Sequence, residues 1–224
     1  MDIKEYMNDT FPGVILKPSI YFQWENHFHF DFGKGIFLCE CGTDAGNNKY
    51  FSQIYKYNTL LFQDIFSAKD MIFLVTNVYR FKKDRLRKQK KLRLYSRFLK
   101  KKELKFRLRQ ETFPYFFDNE DAELYCTYQF SLQCLAEEIK YIPLMKAMNH
   151  EDFPNLYPRL GGRADISYPD VFLINATKDI IMFIYDDRGC EVIAKNKESI
   201  RHLYNKYEKW IPDYERDHIA TLFK

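Results

Sequence analysis

The stretch from Val171 to Ala194, VFLINATKDIIMFIYDDRGCEVIA, decides the fold. It holds three apolar runs, Val171–Asn175, Ile180–Tyr185 and Cys190–Ala194, rich in β-branched and aromatic residues and broken by two polar turns. The runs are too short for helices, and turns this tight join antiparallel neighbours, so the segment reads as a β-meander. Two helices follow. Ile200, Leu203, Tyr204 and Tyr207 mark the first, and Pro212 opens the second, with Ile219, Leu222 and Phe223 on its apolar side.

Working back from the meander, Leu124, Cys126, Tyr128, Phe130, Leu132 and Cys134 alternate with polar residues as in a half-buried strand. Met71–Val78 is almost wholly apolar, as in a strand covered on both faces. Apolar residues from Asn47 to Phe66 fall at helical spacing, residues 2–10 form a short helix ended by Pro12 and Gly13, and Pro143 suits the first turn of a helix reaching about His150. In Ser19–Gly33, Phe22, Trp24, Phe28, Phe30 and Phe32 fall on one face of an expected strand, and Gly33-Lys34-Gly35 turns into a second, Ile36–Cys41. Leu92, Tyr95 and Leu99 predict a helix, Leu104, Phe106 and Leu108 a strand with a cationic outer face, and residues 153–169 a long loop. Strands in runs with helices between them give an α+β fold. The expected architecture is a single domain over residues 1–224, with a largely antiparallel sheet, flanking helices and a C-terminal meander followed by two helices.

The chain has 46% hydrophobic and 29% charged residues, with 21 Phe and 17 Tyr, which supplies a core and excludes the disordered class. No signal-like or membrane-spanning apolar run is present, and five cysteines without scaffold spacing read as reduced thiols, so the expected location is cytoplasmic with no membrane partner. The net charge of +4 hides a segregation. Residues 80–109 carry 16 Lys or Arg against Asp84 and Glu103, a net +14, while the other residues carry 19 basic and 29 acidic groups, a net −10.

The most distinctive string is Tyr185-Asp186-Asp187-Arg188-Gly189-Cys190-Glu191. Asp186 and Gly189 suit a tight turn, with the Asp186 side chain bonding the turn backbone and Gly189 at positive φ, where Gly189→Val would cost about 1–2 kcal/mol. Asp187 and Arg188 then offer a binding surface, against the plainer reading of a well-made hairpin. IYDDRGCEVIA, with FLINATKDIIMF before it, resembles the bacterial family known as domain of unknown function 3885, whose motif ends in Asp where this chain has Glu191. FPGVILKPSIYFQWE, RQETFPY, TYQFSLQC and YEKWIPDYERDHIATLFK extend the resemblance along nearly the whole chain. The family implies no activity. The strand–turn–strand ending is also loosely similar to those of small Gram-positive immunity proteins that neutralise polymorphic toxins.

Within the basic segment, Lys82, Lys83, Arg87, Lys88, Lys90 and Lys91 can meet an acidic protein partner, bind nucleic acid with help from nearby aromatics such as Tyr79 and Phe81, or simply face solvent. If the hairpin turns about Lys34, His27 and His29 lie on one face with Cys41 and Cys39, a donor set that suits tetrahedral zinc, although surface His and Cys more often bind nothing. No Gly-rich phosphate loop, HExxH or GxSxG is present, so no catalytic residue is assigned. Glu137-Glu138 and His150-Glu151-Asp152 read as solvated helix ends. The expectation is a non-catalytic binding protein with a protein partner, of the kind an immunity protein is when it neutralises a toxin. A nucleic-acid-binding protein is the alternative, and an enzyme the third reading.

Overall fold

The computed structural model describes residues 1–33, 44–83, 93–117, 120–161 and 168–223. Seven strands form one antiparallel sheet: β1 (His27–Asp31), β2 (Met71–Phe81), β3 (Arg109–Pro114), β4 (Tyr125–Leu135), β5 (Asp170–Asn175), β6 (Ile180–Asp186) and β7 (Gly189–Ala194). Their order is β1-β7-β6-β5-β2-β4-β3, so the meander β5–β7 sits between β1 and the long β2–β4 pair. The helices are α1 (Ile3–Thr10), α2 (Asp44–Ile65), α3 (Arg93–Phe98), α4 (Tyr141–Met148), α5 (Lys197–Tyr207) and α6 (Asp213–Phe223). The α+β reading holds.

Alternate residues of the central strands feed two cores. Leu74, Leu173, Met182 and Val192 join residues of α2 to α6 on one face of the sheet. Phe73, Val75, Phe172, Ile174, Ile181, Phe183 and Ile193 point the other way, onto α1 and the segment carrying Phe11, Leu16 and Ile20. Burial on both faces is why β2 and the meander read as continuous apolar runs. The basic segment also contributes packing: Tyr95 of α3 is fully buried, and its hydroxyl meets Thr76 Oγ1 at 2.5 Å.

Three local expectations are corrected. The strand expected through Phe22 and Trp24 is a 3₁₀ turn over Ile20–Gln23, with Phe22 exposed, and only His27–Asp31 is strand. Ser19, at φ +67°, turns the chain, and the Glu191 carboxylate accepts the backbone N–H groups of Ser19 at 3.1 Å and Tyr21 at 3.4 Å. Those bonds compete with a sheet ladder. Likewise Leu104 and Phe106 lie in a 3₁₀ helix, Lys102–Arg107, and not in a strand; the strand begins at Arg109, where β4 supplies the partner Ser131. Finally, His150 is buried and not solvated, held by the Pro158 carbonyl at 2.8 Å and the Tyr55 hydroxyl at 2.5 Å. Buried Arg159 donates to the carbonyls of His150, Phe153 and Glu151, fixing the start of the long loop.

Candidate functional site

The distinctive turn closes β6 onto β7 with Asp187 and Arg188 as its two loop residues, since Asp186 pairs with Gly189 and the register shifts between Ile184 and Asp186. Asp186 is buried and accepts the Arg188 backbone N–H at 2.7 Å, the side-chain-to-backbone turn expected of it. Its second oxygen accepts Arg188 Nε at 2.8 Å and is also bonded by Nη2. That pairing holds the guanidinium's pKa above its ordinary value. The Arg188 side chain is nonetheless 70% exposed at the tip of the turn, as a binding surface there requires.

Asp187 does not belong to the outer surface. It is buried and accepts the Tyr50 hydroxyl of α2 at 2.6 Å, and burial pushes its carboxyl above the ordinary range against that hydrogen bond. Gly189 is also buried, and its φ is not positive. Glycine is required there for closeness: a Cβ would overlap the Phe30 carbonyl oxygen of β1 and the Tyr185 hydroxyl. The expected binding surface of the turn therefore reduces to Arg188. Arg188→Ala leaves one oxygen of the buried Asp186 without its partner while the backbone N–H keeps the other, so it is expected to destabilise the fold by about 1–3 kcal/mol, as denaturant unfolding will show.

His29 links the two sites that the sequence kept apart. It lies opposite Glu191 in the β1–β7 ladder, its Nδ1 donates to Glu215 of α6 at 3.2 Å, and its Nε2 meets the Tyr185 hydroxyl at 3.0 Å. The Tyr21 ring stacks on it at 4.9 Å. Glu191, 3% exposed, is pushed up to about 7 by burial, although the backbone N–H groups of Tyr21 and Ser19 draw it down. His27 shares the face, donates Nδ1 to the Trp24 carbonyl at 2.7 Å, and is lowered by burial. Cys39 and Cys41, the other half of the expected zinc set, lie outside the described residues. Sequence reasoning missed Tyr50, Tyr21 and Glu215, which come from distant elements and show no spacing signal.

One oxygen each of Asp152, Asp186 and Asp187 lies within 4.8 Å of the others, a spacing a cation could bridge. The Asp186 oxygens are already spent on Arg188, however, and Asp187 on Tyr50. Elsewhere Lys82 and Lys83 are exposed just beyond β2, and Arg87, Lys88, Lys90 and Lys91 lie outside the described residues. At this end of the sheet the aromatic rings form a chain. Phe81 meets Tyr125 at 4.2 Å, Tyr125 meets Tyr115 at 5.3 Å, Tyr115 meets Phe117 at 5.3 Å, and Phe117 meets Tyr79 at 5.0 Å. Phe81, Phe117 and the neighbouring Leu124 are exposed. Among the described residues no helix is long and apolar enough to cross a membrane.

The comparisons agree with one another. A relative from Bacillus subtilis (strain 168), "Uncharacterized protein YnaE", is 43% identical over 218 residues, covering 96% of this chain and 99% of the relative. No solved structure matches the chain. The family model described as Domain of unknown function (DUF3885) matches residues 3–215, and the chain belongs to that family.

Proposed function

We propose that this chain is a non-catalytic binding protein whose partner is another protein, met at the end of the sheet that carries Phe81, Phe117 and Leu124. The observation that carries the reading is that linked, exposed aromatic surface. Aromatic anchors ringed by polar groups are typical of protein interfaces. The surrounding charge is mixed, with Lys82 and Lys83 on one side and exposed Glu120, Asp121 and Glu123 on the other. A phosphate backbone would meet those carboxylates as well as the lysines, so the patch favours a protein over nucleic acid. Neutralisation of a toxin, as by an immunity protein, is one form of this binding and rests on the likeness of the strand–turn–strand ending. A zinc site at His27, His29, Cys39 and Cys41 is not part of the reading, because both ring nitrogens of His29 are already engaged.

The test is to isolate the partner from native extract with and without nuclease, then measure its affinity for Phe81→Ser and Phe117→Ser. Each is expected to weaken binding about ten-fold or more while leaving the circular dichroism unchanged. Binding lost on nuclease treatment, with affinity for purified RNA or DNA falling steeply with salt, would instead identify the basic segment 80–109 as a nucleic-acid site.

A further inference from the structure

On the α1 face of the sheet, at the opposite end of β4 from the aromatic patch, lies a cavity of ≈390 Å³. That volume lies within the range of small-ligand sites, roughly 300–1,000 Å³. Ile3 and Phe73 give it apolar walls, and Ser131 and Gln133 present polar groups from one face of β4. Arg107 and Arg109 stand at its rim, where the 3₁₀ helix Lys102–Arg107 passes into β3. Arg109 is paired with Asp2, the residue capping α1. Arg107 is exposed and forms no ion pair among the described residues, although its charge also acts on Glu138 and Cys134 nearby.

We infer that this cavity binds a small organic anion, a carboxylate or phosphate monoester carried on an apolar body. Three features fit that chemistry together. Apolar walls reward burial of a hydrocarbon or aryl group. The Arg107 guanidinium offers the planar fork that carboxylate and phosphate oxygens accept in pairs. The Ser131 hydroxyl and the Gln133 amide, which make no side-chain hydrogen bond among the described residues, can donate to a further oxygen. A neutral ligand would leave Arg107 unused, and a polyanion would not bury in a cavity of this size. The site is independent of the proposed protein interface, which lies beyond the Pro114 end of β3.

The experiment is calorimetric titration of the full chain with decanoate, phenyl phosphate and, as an uncharged control, decanol. Saturable one-to-one binding is expected for at least one anion, and the preferred anion separates a carboxylate source from a phosphate source. Arg107→Gln, at an exposed position, should fold normally and weaken that binding about ten-fold or more. Lys82→Gln, outside the cavity, should leave it unchanged. No saturable binding of either anion at millimolar concentration, decanol binding as tightly as decanoate, or equal loss in the Lys82 and Arg107 variants overturns the inference.

Discussion

Gly189→Ala is expected to destabilise the fold by about 3 kcal/mol, the top of the usual range for overpacking, because its single added methyl meets backbone. The new Cβ would overlap the Phe30 carbonyl oxygen and the Tyr185 hydroxyl. A flexible side chain could swing aside, but the Phe30 carbonyl belongs to β1, and Asp31 pairs directly with Gly189. Relief therefore requires β1 to move off β7, which would disturb the Phe32 N–H bond to the Arg188 carbonyl at 2.7 Å and the His29–Tyr185 contact. Gly33→Ala supplies the control. There, among the described residues, the Cβ would find only Asp31 Oδ1 at 3.5 Å and the Tyr50 hydroxyl at 3.9 Å, ordinary contact distances. Denaturant unfolding of both variants should separate them clearly, and a Gly189→Ala protein as stable as Gly33→Ala would show that β1 does not approach the turn as described.

The same residue shows where sequence reading stops. The string Asp186-Asp187-Arg188-Gly189 announces a turn through its chemistry, and both the Asp186 cap and the exposed Arg188 were legible from it. The reason for the glycine was not, because Phe30 lies far away in sequence and reaches Gly189 only through the β1–β7 pairing. The meander and β2 were legible because burial on both faces makes each strand a short continuous apolar run, and β4 because its apolar residues alternate, regardless of their partners. Ile20–Gln23 was misread because its alternating aromatics suit a strand, while the Glu191 carboxylate that draws its backbone into a turn lies far along the chain. Lys102–Arg107 misled for a related reason, since alternation of Leu104, Phe106 and Leu108 implies a face, yet Phe106 is 78% exposed. In the motif, Tyr185 touches His29, Asp187 holds Tyr50, Cys190 fills the core and Glu191 ties down the segment before β1. Most of its conspicuous polarity is thus spent inside the protein.

Glu191 makes that internal role measurable through pH. Its carboxyl, ordinarily near 4.5, is pushed up to about 7 by burial in the folded chain. Between those values the native state retains a proton that the unfolded chain has lost, so stability falls as pH rises through the window and levels off above about 7. The full effect is on the order of 3 kcal/mol, at about 1.36 kcal/mol for each unit of displacement. Other groups obscure it in the raw profile. Glu151 and Asp170, also raised by burial, to about 7 and about 6, act in the same direction. His27 and His150, lowered by burial, act in the opposite one, favouring the fold as pH rises toward 6.5. Glu191→Gln isolates the term, because the amide keeps an oxygen to accept the Ser19 and Tyr21 N–H groups but cannot ionise. Relative to the unsubstituted protein, the Gln variant should be nearly equal in stability at about pH 4.5, gain steadily toward about pH 7 and hold that advantage above it, as compared by denaturant midpoints. His29, facing Glu191 across the ladder, would be the cause of any shortfall, since a protonated imidazole there favours the carboxylate. A stability difference that stays flat across the window would mean that Glu191 is ionised in the folded chain throughout, with its charge fully satisfied by the backbone it holds.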